Sequence, residues 1–111
     1  MDKIEPNIDN RYLRGDILVA AYLHQEATGG AFEYAILHRF MTNRYPSLTD
    51  KTLKAQIQFL QDRKLVEEVV DEDLPYELQK MSEGVKITRA GKAVVDLDVT
   101  VLGVIITKLD E

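Results

Sequence analysis

The chain has 111 residues, 45% of them hydrophobic, enough for one modest core and so for a single domain. The absence of cysteine excludes disulfides, thiolate nucleophiles and cysteine-based zinc sites, and no segment approaches the roughly twenty apolar residues of a membrane span. A soluble cytoplasmic protein, not membrane-bound and without a cofactor, is expected, and its net charge of −5 argues against gripping nucleic acid over the whole surface.

That charge is unevenly spread. Residues 1–64 carry a net +1 and residues 65–111 a net −6, while within the first part residues 44–64 alone carry +3. Positive potential is therefore local to one short stretch.

Residues 1–9 are polar, include Pro6, and read as an irregular arm. Asp9 or Asn10 can cap a first helix that runs to about Ala27, with Leu13, Ile17, Ala20 or Ala21, and His24 at helical spacing. Gly15 costs about 1 kcal/mol relative to alanine there, so a firm start is expected only near Asp16. Gly29-Gly30 ends this helix, and with no Gly-Lys-Ser/Thr following it is not a phosphate-cradling loop. A second helix, about residues 32–45, carries Phe32, Ile36, Leu37, Phe40 and Met41 on one broad apolar face, and Pro46-Ser47 turns the chain into a third.

The third helix, about residues 49–64, has the strongest local signal. Thr49 is placed to be its N-cap, and neither proline nor glycine interrupts residues 50–64. Leu53, Ile57 and Leu60 share one stripe with Gln56 and Lys64 at its edges, whereas Lys51, Ala55, Gln58 and Asp62 lie opposite. Such an outward face suits a DNA major groove, alanine leaving room for close approach and glutamine able to pair with a base edge. It also suits a simply solvated helix.

Residues 65–70 read as a strand from their β-branched content, and Val85 to Thr88 as a second strand with period-two alternation; together they predict a hairpin, the wing. The connection at 71–84 is long and acidic, and residues 74–81 could form a turn or two of helix. Thr88 can cap a fourth helix from Arg89 to about Asp96, with Ala90, Ala93, Val94 and Leu97 on its apolar side and Gly91 marking close backbone packing. Residues 98–111 form a tail that is unusually apolar for a terminus, expected to bury itself against the domain or against a second copy.

Two helices joined by a short turn, the second with an exposed polar face, form a helix-turn-helix, and the full order of elements over residues 10–97 is that of a winged helix-turn-helix. The expected class is α+β, mostly α: a three-helix core, a β-hairpin wing at about 65–88 and a C-terminal helix. Leu65-Val66 after the third helix resembles the Leu-Glu-x-x-Gly-Leu-Val exit of ArsR-, MarR- and PadR-like regulators. Ile87-Thr88-Arg89-Ala90-Gly91-Lys92 resembles the Leu-Thr-x-x-Gly pattern that opens their last helix, and over about residues 11–95 the chain looks most like small winged-helix proteins of Mu-like transposable phages. The sequence departs from the pattern at Lys64, where glycine is usual, and in a wing lengthened by about ten residues whose residues 65–83 carry a net −6. An acidic wing would be repelled by a phosphate backbone.

His24 and His38 fall on different helices with no paired spacing, so no metal site is expected, and no calcium-loop spacing occurs among the carboxylates. Neither Ser47 nor Ser82 sits in a nucleophile elbow, and an enzyme is not expected. Two functions are compatible with these features. In the first, a homodimer associated through the tail inserts its third helices in double-stranded DNA as a phage or prophage transcription regulator. Lys51, Thr52, Ala55 and Gln58 would then meet base edges, and Arg39, Arg44 and Lys54 phosphates. In the alternative, the acidic wing and apolar tail serve a protein–protein interaction module without sequence-specific DNA binding.

Overall fold

The computed structural model describes residues 8–70, 73, 75 and 83–107, which form an α+β, mostly helical domain. Four helices and three strands occur among them: α1 (Asn10–Thr28), β1 (Phe32–Glu33), α2 (Tyr34–Thr42), α3 (Asp50–Asp62), β2 (Val66–Val69), β3 (Gly84–Ile87) and α4 (Arg89–Val95). The strands pair antiparallel in the order β1-β3-β2.

Helix α1 begins where the capping signal places it, with the Asp9 carboxylate accepting from the Arg11 amide, and ends on Gly29 in the left-handed conformation. It is continuous from Asn10, not firm only from Asp16, because Gly15 has a tertiary reason to be there. A Cβ at Gly15 would overlap the Ile105 carbonyl. The chain after α4 crosses α1 at this point: the Ile105 amide donates to the Arg11 carbonyl at 3.0 Å, and Val104 is buried in the core. The tail packs on its own domain through the buried Val104 and the partly buried Val101 and Ile106, whereas Leu102 is 92% exposed.

Helix α2 is shorter than its apolar pattern predicts. Phe32 and Glu33 are extended, pairing with Val85 and Gly84, because the free edge of β3 offers backbone partners that a helical first turn would lack. Gly84 makes this possible, since a Cβ there would press on Ala31 and the Phe32 carbonyl. Nor is the apolar face of α2 buried as a whole: Leu37 and Met41 are, but Ile36 and Phe40 are about half exposed. A further loop, with Leu48 buried, separates α2 from α3 where a tighter turn was expected.

The hairpin pairs from Val66 opposite Ile87 to Val69 opposite Gly84. The expected helical turn at 74–81 and the arm at 1–7 lie outside the described residues. At the base of the hairpin Thr88 joins three elements. Its hydroxyl donates to the Lys64 carbonyl and accepts from the Gly91 amide, while its amide donates to the Leu65 carbonyl. Gly91 packs against that same Leu65 carbonyl, which a Cβ would overlap. In α4 Val94 is buried and Ala93 partly so, but Ala90 and Leu97 face outward, Leu97 as a left-handed residue beyond the helix end. Lys64 is likewise left-handed, with φ of +63°, which is the conformation that makes glycine usual at this position.

The core is built from Leu13, Ile17 and Leu18 of α1, Leu37 and Met41 of α2, and Leu53 and Leu60 of α3, all fully buried. If Gly15 is where the tail rests, Gly15→Ala should destabilise the domain by about 1–3 kcal/mol through overpacking, although alanine is the better helix former by about 1 kcal/mol. Urea denaturation checks the sign. A raised midpoint would mean that the tail does not bear on α1.

Candidate nucleic-acid interface

Helix α3 is fixed at both ends and on one flank. Thr49 accepts from the Thr52 amide at 3.1 Å and donates its own proton to the Thr52 hydroxyl, so the cap that the sequence signals is formed. The inward stripe is Leu53, Ile57 and Leu60, joined by Gln56, which is 7% exposed and thus belongs to the core and not its edge. Burial of that amide is satisfied from α1: Arg14 Nε donates to Gln56 Oε1 at 2.7 Å, and Arg14 Nη1 donates to the Gly103 carbonyl. The same guanidinium stacks on Phe59, 3.6 Å from the ring centroid, with Arg63 at 3.5 Å on the other face. Burial, followed by the like charge of Arg63, lowers the Arg14 pKa from its ordinary value. This cluster ties α1, α3 and the tail together and was not legible as a site, its members being 42 and 89 residues apart.

With that flank closed, the outward stripe runs Lys51, Ala55, Gln58. All three side chains are exposed, at the i, i+4 and i+3 spacings that place neighbours along one face. Lys51 makes no ion pair among the described residues. Ala55 leaves a shallow step between Lys51 and Gln58. Gln58, however, donates to the Asp62 carboxylate at 2.9 Å, so its amide is engaged in the free protein. Thr52 differs from the other three in being partly buried, its hydroxyl committed to the cap.

The three candidate phosphate contacts do not form one set. Lys54 pairs with Asp50 at 3.7 Å and lies over the Tyr34 ring, one turn round the helix from the outward stripe. Tyr34 donates to Asp50 at 2.6 Å; this hydrogen bond, ahead of the Lys54 charge, holds the Asp50 carboxyl below its ordinary range, while burial and Asp50 push the Tyr34 phenol up. Arg44, in the connection between α2 and α3, pairs with Asp16 of α1 at 3.4 Å. Arg39 is exposed in the last turn of α2.

On the hairpin side, Lys54, Gln58 and Gln61 face Glu68 and Glu83 across a cleft of about 280 Å³ that also exposes Tyr34. One bank of the helix is thus basic to neutral and the facing bank acidic. No group of His, Asp or Glu side chains with the arrangement of a metal site occurs among the described residues. No helix among them is long and apolar enough to cross a membrane.

Comparison of the chain with family models, with curated proteins and with solved structures found no match. The geometry of α3 and its surroundings is therefore the ground for any functional reading. Loss of its cap should be measurable: Thr49→Ala is expected to cost about 1 kcal/mol and Thr49→Asp to retain most of the stability, compared by urea denaturation. Equal loss in both variants would place the stabilisation elsewhere than in the cap.

Proposed function

We propose that this protein is a winged-helix DNA-binding protein of the transcription-regulator type, with α3 as its reading helix. The observation that carries the proposal is the outward stripe Lys51, Ala55, Gln58: exposed, with the right side-chain types for a major groove, and held on a helix whose cap and inner face are fully engaged. Three helices, an antiparallel hairpin and a fourth helix come in the order that the resemblance to ArsR-, MarR- and PadR-like regulators implies, which supports the reading at the level of architecture.

In this mechanism Lys51 supplies the long-range attraction and contacts a base edge or its phosphate. Gln58 exchanges its Asp62 partner for an adenine edge, and Ala55 permits the approach. Arg39 and Arg44 flank the duplex from α2 and the connection after it. Lys54 neutralises Asp50 and offsets the charge of Glu68 and Glu83 across the cleft more than it grips a phosphate. The hairpin stays clear of the backbone. Two copies would be needed for a two-fold operator, and Leu97, Val99 and Leu102 are the tail-side apolar residues still exposed once the tail has docked, so they are the proposed dimer contacts. The acidic bank of Glu68 and Glu83 favours the second reading, an interaction module that meets a basic protein partner.

Selection from a random duplex pool, with enriched sites retested across a salt series, separates the two. DNA reading is expected to enrich a site whose affinity falls steeply with salt, and Lys51→Glu should abolish that affinity with an unchanged melting temperature. Failure to enrich any site leaves the interaction module as the better account, and a Lys51→Glu protein that binds as before overturns the assignment of α3 as the reading helix.

A further inference from the structure

A second cleft shares only Arg44 with the residues of the duplex reading. It lies between α1 and α2, has a volume of about 360 Å³, and its walls are Val19, Ala20, Leu23, Phe40 and Met41. Its polar end is formed by Asp16, Asn43, Arg44 and Thr107. A half-open cleft of this size, mostly apolar with a few converging polar groups, has the character of a small-molecule site at the lower end of the usual range of roughly 300–1,000 Å³.

Two features of the polar end specify a ligand. Both the Tyr45 hydroxyl and Arg44 Nε reach the same Asp16 oxygen, Oδ2, leaving Oδ1 without a hydrogen bond among the described residues. The Arg44 side chain is 55% exposed, so its guanidinium, a forked donor that suits a carboxylate, is open to a partner. An acceptor carboxylate oxygen and an accessible guanidinium thus line the same end of an apolar cleft. An apolar acid would meet the Asp16 charge, and an apolar amine the Arg44 charge. A molecule bearing both charges on one carbon meets neither repulsion. At the other end Leu23 and Phe40 are 61% and 54% exposed, apolar surface that a ligand side chain would cover.

We propose that this cleft binds a free apolar α-amino acid, its ammonium on Asp16 Oδ1, its carboxylate on the Arg44 guanidinium, and its side chain on Val19, Leu23 and Phe40. The site stands independently of DNA binding, and its test contains no nucleic acid. The full chain is titrated calorimetrically with L-phenylalanine and L-leucine, and with glycine, phenethylamine and 3-phenylpropionate, which lack the side chain, the carboxylate and the ammonium respectively. Saturable binding is expected for phenylalanine or leucine, at least tenfold weaker for each of the other three. Leu23→Gln and Arg44→Gln, both at well-exposed positions, should each weaken it at least tenfold with little change in melting temperature. Absence of binding at millimolar concentration overturns the proposal. So does equal binding of phenethylamine or 3-phenylpropionate, or affinity indifferent to both substitutions. A chain lacking residues 108–111 is titrated in parallel; binding seen only with that chain would make the chain's own end the occupant and equally overturn it.

Discussion

The approach of the Ile105 carbonyl to Gly15 is the contact on which the rest of the arrangement depends. Helix α1 buries Leu13, Ile17, Leu18, Ala20 and Ala21, and it touches α3, α4, β1 and β3. Its remaining flank accepts the tail only because position 15 has no side chain. Once the tail is seated, the Gly103 carbonyl is in reach of Arg14, Arg14 is in reach of Gln56, and Phe59 is stacked between Arg14 and Arg63. The orientation of α3 follows: with Gln56 drawn inward and Phe59 covered, the one long stripe left to solvent is Lys51, Ala55, Gln58 and Asp62.

Charge then narrows what that stripe can do. Two of the candidate phosphate contacts are internally compensated, Lys54 by the exposed Asp50 and Arg44 by the largely buried Asp16, which leaves less free potential beside the stripe. Glu68 and Glu83 line the same cleft as Lys54, Gln58 and Gln61, on the hairpin side of the helix. A duplex would therefore be held at Lys51 and toward α2, and repelled at the hairpin. Under the proposed reading this would be a smaller footprint than a helix with two basic flanks gives, and specificity would rest on Gln58 and Ala55 more than on phosphate contacts. The same acidic bank keeps the protein-interaction reading in view.

Features set by neighbouring residues could be read in the sequence. The Thr49 and Thr88 caps, the stop at Gly29 and the stripe Leu53, Ile57, Leu60 are encoded within a few turns of chain, and the β2–β3 hairpin in two short strand-forming runs; each forms as expected. The misreadings have long-range causes. Phe32 fits a helical apolar stripe, but Gly84, fifty-two positions later, opens a place for it beside β3. Gly15 reads as a helix weakener until Ile105 is laid against it. Periodicity places Ile36 and Phe40 on an apolar face, yet both are about half exposed, because it reports which face is apolar and not whether anything covers it. For the candidate interface, the outward placement of Lys51, Ala55 and Gln58 was legible; the engagement of Thr52 in the cap and of Gln58 with Asp62 was not, since side-chain pairing depends on rotamers that helical spacing leaves open.

The central claim is that α3 presents a single working face with the hairpin turned away from the duplex. NMR of the uniformly nitrogen-15-labelled protein, titrated with an enriched duplex, tests it residue by residue. The largest shift changes are expected at the backbone amides of residues 51–58 and at the Gln58 side-chain amide, with β2 and β3 nearly unmoved. Changes centred on β2 and β3, with α3 unmoved, would contradict the account.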